Sequence, residues 1–145
     1  MSERGPVGLS AVNQHGEWVV VADRPTLLVF FPYAFTGICT DELTALRDHH
    51  AAFEAAGVRV LGCSCDSMFA LRVFADTERL GFDLVSDHWP HGRLARAYGA
   101  FDEERGCAER ATFLLDASGR TVWSQRTDIG TARSLEDALA AVRNR

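Results

Sequence analysis

At 145 residues and 47% hydrophobic composition the chain suits one domain with an ordinary apolar core, and neither a metal nor a disulfide framework is needed to explain folding. All fifteen basic residues are arginine, scattered without a block or stripe, and the formal net charge is −5, so no nucleic-acid partner is expected. MSERGPVGLS carries no apolar targeting run, and Thr26 to Phe31 is far too short to span a bilayer; a cytoplasmic protein with no membrane partner is the expectation.

Residues 1 to 16 bear Gly, Ser and Pro and are assigned no element. Glu17 to Val21 reads as a short strand and Asp23 to Pro25 as a turn. TLLVFF, Thr26 to Phe31, is continuously apolar and fits a strand buried on both faces, ended by Pro32. In Thr40 to Ala56, the residues Leu43, Leu46, His50 and Phe53 share one helical face, and Gly57 stops the helix. Val58 to Cys63 is the next buried strand; strand, helix and strand together make the length that a parallel crossover requires.

Ser67 to Leu80 repeats the logic, with Met68, Leu71, Phe74 and Ala75 on one face. Asp66 is read as the cap of this helix. Phe82 to Val85 is a short strand before a polar turn at Ser86 and Asp87, and Gly92 to Tyr98 is one or two helical turns. Ala111 to Leu115 and Thr121 to Ser124 flank DASG, a hairpin signal in which Asp116 serves the turn. Ser134 caps a final helix with Leu135, Ala138, Leu139 and Val142 as its apolar stripe. This order predicts an α/β, thioredoxin-like fold over residues 1–145, a mixed central sheet with helices on both faces. A flavodoxin-like sheet would want a glycine-rich phosphate loop after its first strand, which is lacking.

The segment PYAFTGIC, Pro32 to Cys39, joins a buried strand to a helix, at the carboxyl edge where parallel sheets place their sites. Cys39 falls in the first helical turn, where free N–H groups and the helix dipole favour a nucleophilic thiolate. Thr36 is the expected N-cap or a hydroxyl donor to the cysteine or its substrate, and Pro32 fixes and shields the loop. The residue three before Cys39 is Thr36, so there is no CxxC dithiol.

PYAFTGIC resembles the peroxiredoxin signature, in which Pro, Thr and Cys recur at this spacing and a Glu, here Glu42, follows three residues later. FFPYAFTGICTDELTALRDH and SDHWPHG resemble the one-cysteine alkyl hydroperoxide reductase E group of actinobacteria, and Arg110, in ERATFLLD, stands where that family carries an arginine. The resemblance implies a thiol-dependent peroxidase without cofactor or metal. Cys39 attacks hydrogen peroxide or an organic hydroperoxide, with Arg110, Thr36 and Pro32 as catalytic partners and Glu42 in support. Backbone N–H groups at Ile38 and Cys39 hold the peroxide oxygens. The resulting sulfenic acid is recycled by a small thiol such as mycothiol, or by a mycoredoxin or thioredoxin-like protein. A homodimer, with the Trp89 to His91 loop near one edge, is also implied. A general thiol-disulfide oxidoreductase or peroxide sensor is the alternative function, and a non-enzymatic packing module the third.

Relative to that family, residues 1 to about 25 read as a shortened N-terminal segment without the usual Ala-Pro-Asp-Phe-like stretch. Thr44 stands where some two-cysteine relatives carry a resolving cysteine. Cys63 and Cys65 lie two apart on a strand and are read as buried thiols, with a resolving or sensing role as the alternative. Cys107, in ERGCAER, is read as an exposed loop thiol, either passive or resolving. His50 is a core-edge residue, neither His88 nor His91 is spaced as a metal ligand, and Phe30, Phe31 and Phe35 are core or pocket wall.

Overall fold

The structure, a computed structural model, describes residues 3–4 and 9–145. Strands β1 (Glu3–Arg4), β2 (Ser10–Asn13) and β3 (Trp18–Val20) precede the central strand β4 (Thr26–Phe30). Helices α1 (Gly37–Asp48) and α2 (His50–Ala55) lead to β5 (Arg59–Ser64), and α3 (Met68–Glu78) leads to β6 (Asp83–Ser86). There follow α4 (Arg93–Ala97), β7 (Phe101–Asp102), β8 (Cys107–Ala108), β9 (Arg110–Leu115), β10 (Arg120–Thr127) and α5 (Leu135–Arg143).

Eight strands form one sheet in the order β1-β10-β9-β4-β5-β6-β2-β3. The β4–β5 and β5–β6 pairs are parallel, and β9 lies antiparallel on the other side of β4. Alternation along β4 divides the core. Leu27, Val29 and Phe31 pack with Leu43, Phe53, Phe74 and Val142 from α1, α2, α3 and α5. Leu28 and Phe30 pack on the opposite face with Leu94, Ala95 and Tyr98, in and just after α4. The fold is therefore thioredoxin-like, a mixed sheet with helices on both faces.

The expected helix over 40–56 differs in two ways. It starts earlier, at Gly37, and it breaks at His49, whose N–H is shared between the Ala45 and Leu46 carbonyls. His50 keeps its core-edge place, its ring 5.6 Å from that of Phe82. The N-terminal region holds more structure than its composition suggested. Ser10–Asn13 pairs with both β3 and β6, and the buried Asn13 accepts the amides of His15 and Glu17 to form the turn. Ser67, rather than Asp66, caps α3, accepting the Ala70 N–H. Cys107 is not exposed, because the short β7–β8 hairpin buries it completely. Phe35 is 55% exposed rather than core.

Candidate active site

Register explains why two distant residues meet. Phe30, the last residue of β4, pairs with Ala111 of antiparallel β9, so Arg110 lies beside the point where the chain leaves the sheet. The loop after Phe31 then enters α1, with Cys39 in its first turn. Cys39 has no exposed surface, and Arg110 Nη1 lies 3.5 Å from its Sγ. The other edge of the Arg110 guanidinium is clamped on the Ile129 carbonyl, Nε at 3.1 Å and Nη2 at 2.8 Å, which aims Nη1 at the sulfur.

Glu42 sits one turn beyond Cys39 on the same helix face. Its carboxylate accepts from Arg110 Nη1 and from three groups of Arg133: the backbone N–H (2.7 Å), Nε (3.1 Å) and Nη2 (3.0 Å). Arg133 also donates to the Ala111 carbonyl at 2.9 Å and to Thr112 Oγ1 at 3.2 Å. All three charged side chains are nearly sealed from solvent. Burial pushes the Glu42 carboxyl up, but the hydrogen bonds and charge of Arg133, with the charge of Arg110, outweigh it and hold Glu42 below the usual carboxylate range. Two guanidiniums against one carboxylate leave one positive charge unbalanced beside the sulfur. Arg133 did not emerge from the sequence. It lies in the loop TDIGTARS, where no periodicity marks it, and only the fold of the β10–α5 connection brings it to Glu42.

Pro32 is buried under the loop. Thr36 occupies the N-cap position of α1, but its hydroxyl donates to the Tyr33 carbonyl at 2.8 Å and makes no cap bond. The first amide to close the helix is Thr40 N–H, on the Thr36 carbonyl. The amides of Gly37, Ile38 and Cys39 are therefore left without helical partners. Phe35 adopts a left-handed φ of 69°, unusual for a residue with a side chain, and packs edge-on against Phe74 at 5.2 Å.

Comparison with known proteins shows the family. The AhpC/TSA family profile matches residues 5–124. The chain belongs to the AhpC/TSA family. Alkyl hydroperoxide reductase E of Mycobacterium tuberculosis and of Mycobacterium bovis is 43% identical over 122 residues, which is 82% of this chain and 80% of theirs. Among solved structures, peroxidoxin BcpB of Mycobacterium tuberculosis superposes with a TM-score of 0.84 at 25% identity, over 99% of this chain and 97% of that one. Enterococcus faecalis AhpC gives 0.87 at 22% identity, over 99% and 92%, a likeness of fold. As an AhpC/TSA member of the peroxiredoxin type, the chain is a thiol peroxidase that reduces peroxides through a catalytic cysteine.

The other three cysteines of this AhpC/TSA chain lie in different surroundings. Cys63 is in β5 and belongs to the core cluster on the sheet face opposite Cys39. Burial pushes its thiol well up, and Asp87 adds to the effect. Cys65, just past the strand, is pushed up to about 12 by burial and then by Asp87. Burial also raises Cys107, with the Tyr33 hydroxyl pulling the other way and Asp102 adding to the rise. His88 Nδ1 lies 3.3 Å from the Cys65 carbonyl and His91 Nε2 lies 2.7 Å from the Gly106 carbonyl, both in structural roles. No cluster of metal-ligating side chains occurs among the described residues, and no helix there is long and apolar enough to cross a membrane.

Proposed function

We propose that Cys39 is the cysteine that attacks the peroxide, with Arg110, Thr36 and Pro32 as its catalytic partners and the Glu42–Arg133 pair holding Arg110 in place. The observation that carries this reading is the Arg110 Nη1 contact with Cys39 Sγ at 3.5 Å, inside a buried cluster with one positive charge in excess. A thiolate balances that charge, and an unbalanced buried charge is costly. The Cys39 thiolate attacks the terminal oxygen of ROOH; the O–O bond breaks, Cys39 becomes a sulfenic acid, and RO⁻ takes a proton to leave as an alcohol or water. Thr36 has spent its proton on Tyr33, so its oxygen accepts the peroxide O–H. The free amides of Ile38 and Cys39 stabilise the leaving oxygen. Both hydrogen peroxide and organic hydroperoxides are read as substrates.

Recycling is assigned to an external thiol. Cys63, Cys65 and Cys107 are all held in the unreactive thiol form by burial, and Thr44 closes the local resolving route. The external thiol displaces water from the sulfenic acid, and a second thiol releases Cys39 from the mixed disulfide. The likeness to mycobacterial alkyl hydroperoxide reductase E supports mycothiol, or a mycoredoxin or thioredoxin-like protein, as that reductant in the cytoplasm. Trp89, 83% exposed in its loop, supports the homodimer edge, which sedimentation at micromolar protein reads directly.

Rapid mixing of reduced protein with one equivalent of hydrogen peroxide, followed by peptide mass mapping, tests the assignment. One added oxygen on the Cys39 peptide is expected, and none in Cys39→Ser, while serine at 63, 65 or 107 leaves the first oxidation intact. Peroxide reduction by Cys39→Ser refutes the nucleophile. A stoichiometric internal disulfide containing Cys39 refutes the external-thiol route.

A further inference from the structure

Cys39 is completely buried, yet its sulfenic acid has to meet a reductant larger than a peroxide. The loop Pro32–Thr36 runs directly into the helix turn that carries Cys39, and Ala34 shares its buried cluster, so what pins that loop bears on both halves of the cycle. One pin comes from outside the signature. Asp66 Oδ2 accepts the Ala34 N–H at 2.9 Å and the Ser64 hydroxyl at 2.7 Å. Asp66 is itself a fixed post: its N–H donates to Ser64 Oγ at 3.3 Å, and its carbonyl accepts the Ser86 hydroxyl at 2.7 Å. The adjoining Asp87 N–H is bonded to the Ser64 carbonyl at 2.7 Å. The carboxyl ends of β5 and β6 thus present one carboxylate oxygen to the loop. The next loop residue, Phe35, sits at φ 69°, a conformation that persists only when its surroundings impose it.

We propose that Asp66 is a positioning residue that holds the loop in the peroxide-reactive conformation and, by the same bond, restrains the opening that admits the reducing thiol. The proposal rests on Cys39 as the nucleophile. With the Ala34 amide tied down and Phe35 packed on Phe74, the Tyr33 carbonyl fixes the Thr36 hydroxyl, and the first amides of α1 keep their aim. Without the carboxylate, the left-handed turn relaxes and the loop spends more time lifted. The two half-reactions then change in opposite directions, which general destabilisation does not produce.

The test measures the halves separately in wild type, Asp66→Ala, Asp66→Asn and Ser64→Ala. The first half is Cys39 oxidation by hydrogen peroxide under single-turnover mixing. The second is the reaction of preformed sulfenic acid with 5-thio-2-nitrobenzoate, which forms the mixed disulfide and water and is followed by loss of absorbance. Asp66→Ala is expected to slow the first half by up to about a hundredfold, the scale for a catalytic group misplaced by about 1 Å, and to speed the second. Asp66→Asn keeps an acceptor oxygen and returns both rates toward wild type. Ser64→Ala, the milder variant, shifts both rates in the same directions as Asp66→Ala and carries the test if that protein does not fold. Rates that fall together, or do not change, overturn the proposal. In that case oxygen on Cys39 of the wild-type protein leaves the nucleophile standing; its absence there overturns both assignments.

Discussion

All four cysteines are buried, yet they divide into two settings. Cys39 meets a guanidinium at 3.5 Å, at the start of a helix whose first amides are uncapped. Cys63 and Cys65 feel Asp87, and Cys107 feels Asp102. Burial alone disfavours every thiolate, because it removes water from the charged form. The comparison teaches that, at similar depth, the thiol proposed as the nucleophile differs from the other three in meeting a guanidinium directly and in standing among the free donors of a helix terminus. Only Cys39 has both in its favour.

Removing the arginine that makes the difference gives the largest expected effect. Arg110→Ala slows Cys39 oxidation by about two to three orders of magnitude, the scale for losing a donor aimed at developing charge. Arg110→Lys recovers only part, since an ammonium cannot grip the Ile129 carbonyl along one edge and address the sulfur along another. Single-turnover rates followed from neutral to alkaline pH should keep the deficit throughout. If the variant and wild-type curves meet at the alkaline end, Arg110 acts on ionisation alone; if they coincide everywhere, it has no catalytic role.

Glu42 gives the next effect, on stability. Its carboxyl is held below the ordinary value of about 4.3. Its contribution is therefore complete above that ordinary value and is lost as pH falls through the lower, folded-state value. Glu42→Gln should cost about 3 kcal/mol at neutral pH, the lower end for breaking a buried ion pair, because Arg133 keeps its bonds to Ala111 and Thr112. Urea unfolding of both proteins over a pH series checks this: the gap should close in acid. A gap independent of pH places the effect in packing instead.

The part of this site legible in the sequence was the part that follows from local pattern. TLLVFF fitted a strand buried on both faces, which it is as Thr26–Phe30, and the proline-to-cysteine segment after it follows that strand's carboxyl end. Arg110 came from family likeness, and the β4–β9 register then supplied its physical reason. The rest depends on long-range closure. Arg133 reaches Glu42 across 91 residues and Asp66 reaches Ala34 across 32, from loops without periodicity. SAVN becomes a strand because β6 offers it an edge, and Cys107 is buried by pairing that involves only two residues on each strand.

The smallest effects are expected among the other three thiols, and they sharpen the comparison by grading it. Their raised values, together with the guanidinium that Cys39 alone meets at 3.5 Å, give an expected order of alkylation at fixed pH of Cys39, then Cys107, then Cys65, then Cys63. Cys107 follows Cys39 because the Tyr33 hydroxyl partly offsets burial. Cys65 stands at about 12 with Asp87 close by. Cys63 comes last, sealed within the sheet and pushed well above the ordinary thiol value. Iodoacetamide labelling of the reduced protein, with peptide masses read over time, gives the order, and all three slow sites should accelerate as pH rises. Asp102→Asn isolates the charge contribution at Cys107, since Arg105 remains beside it. Asp102 is part-buried and already paired with Arg105 at 2.9 Å, which offsets much of its charge, so the gain in Cys107 labelling should be no more than about twofold. A larger gain would mean that Asp102 also holds the β7–β8 hairpin closed, through its bonds to the Glu104 and Arg105 amides. Labelling of Cys63 ahead of Cys39 would break the comparison itself, because neighbouring charge would then not be what distinguishes the four sites.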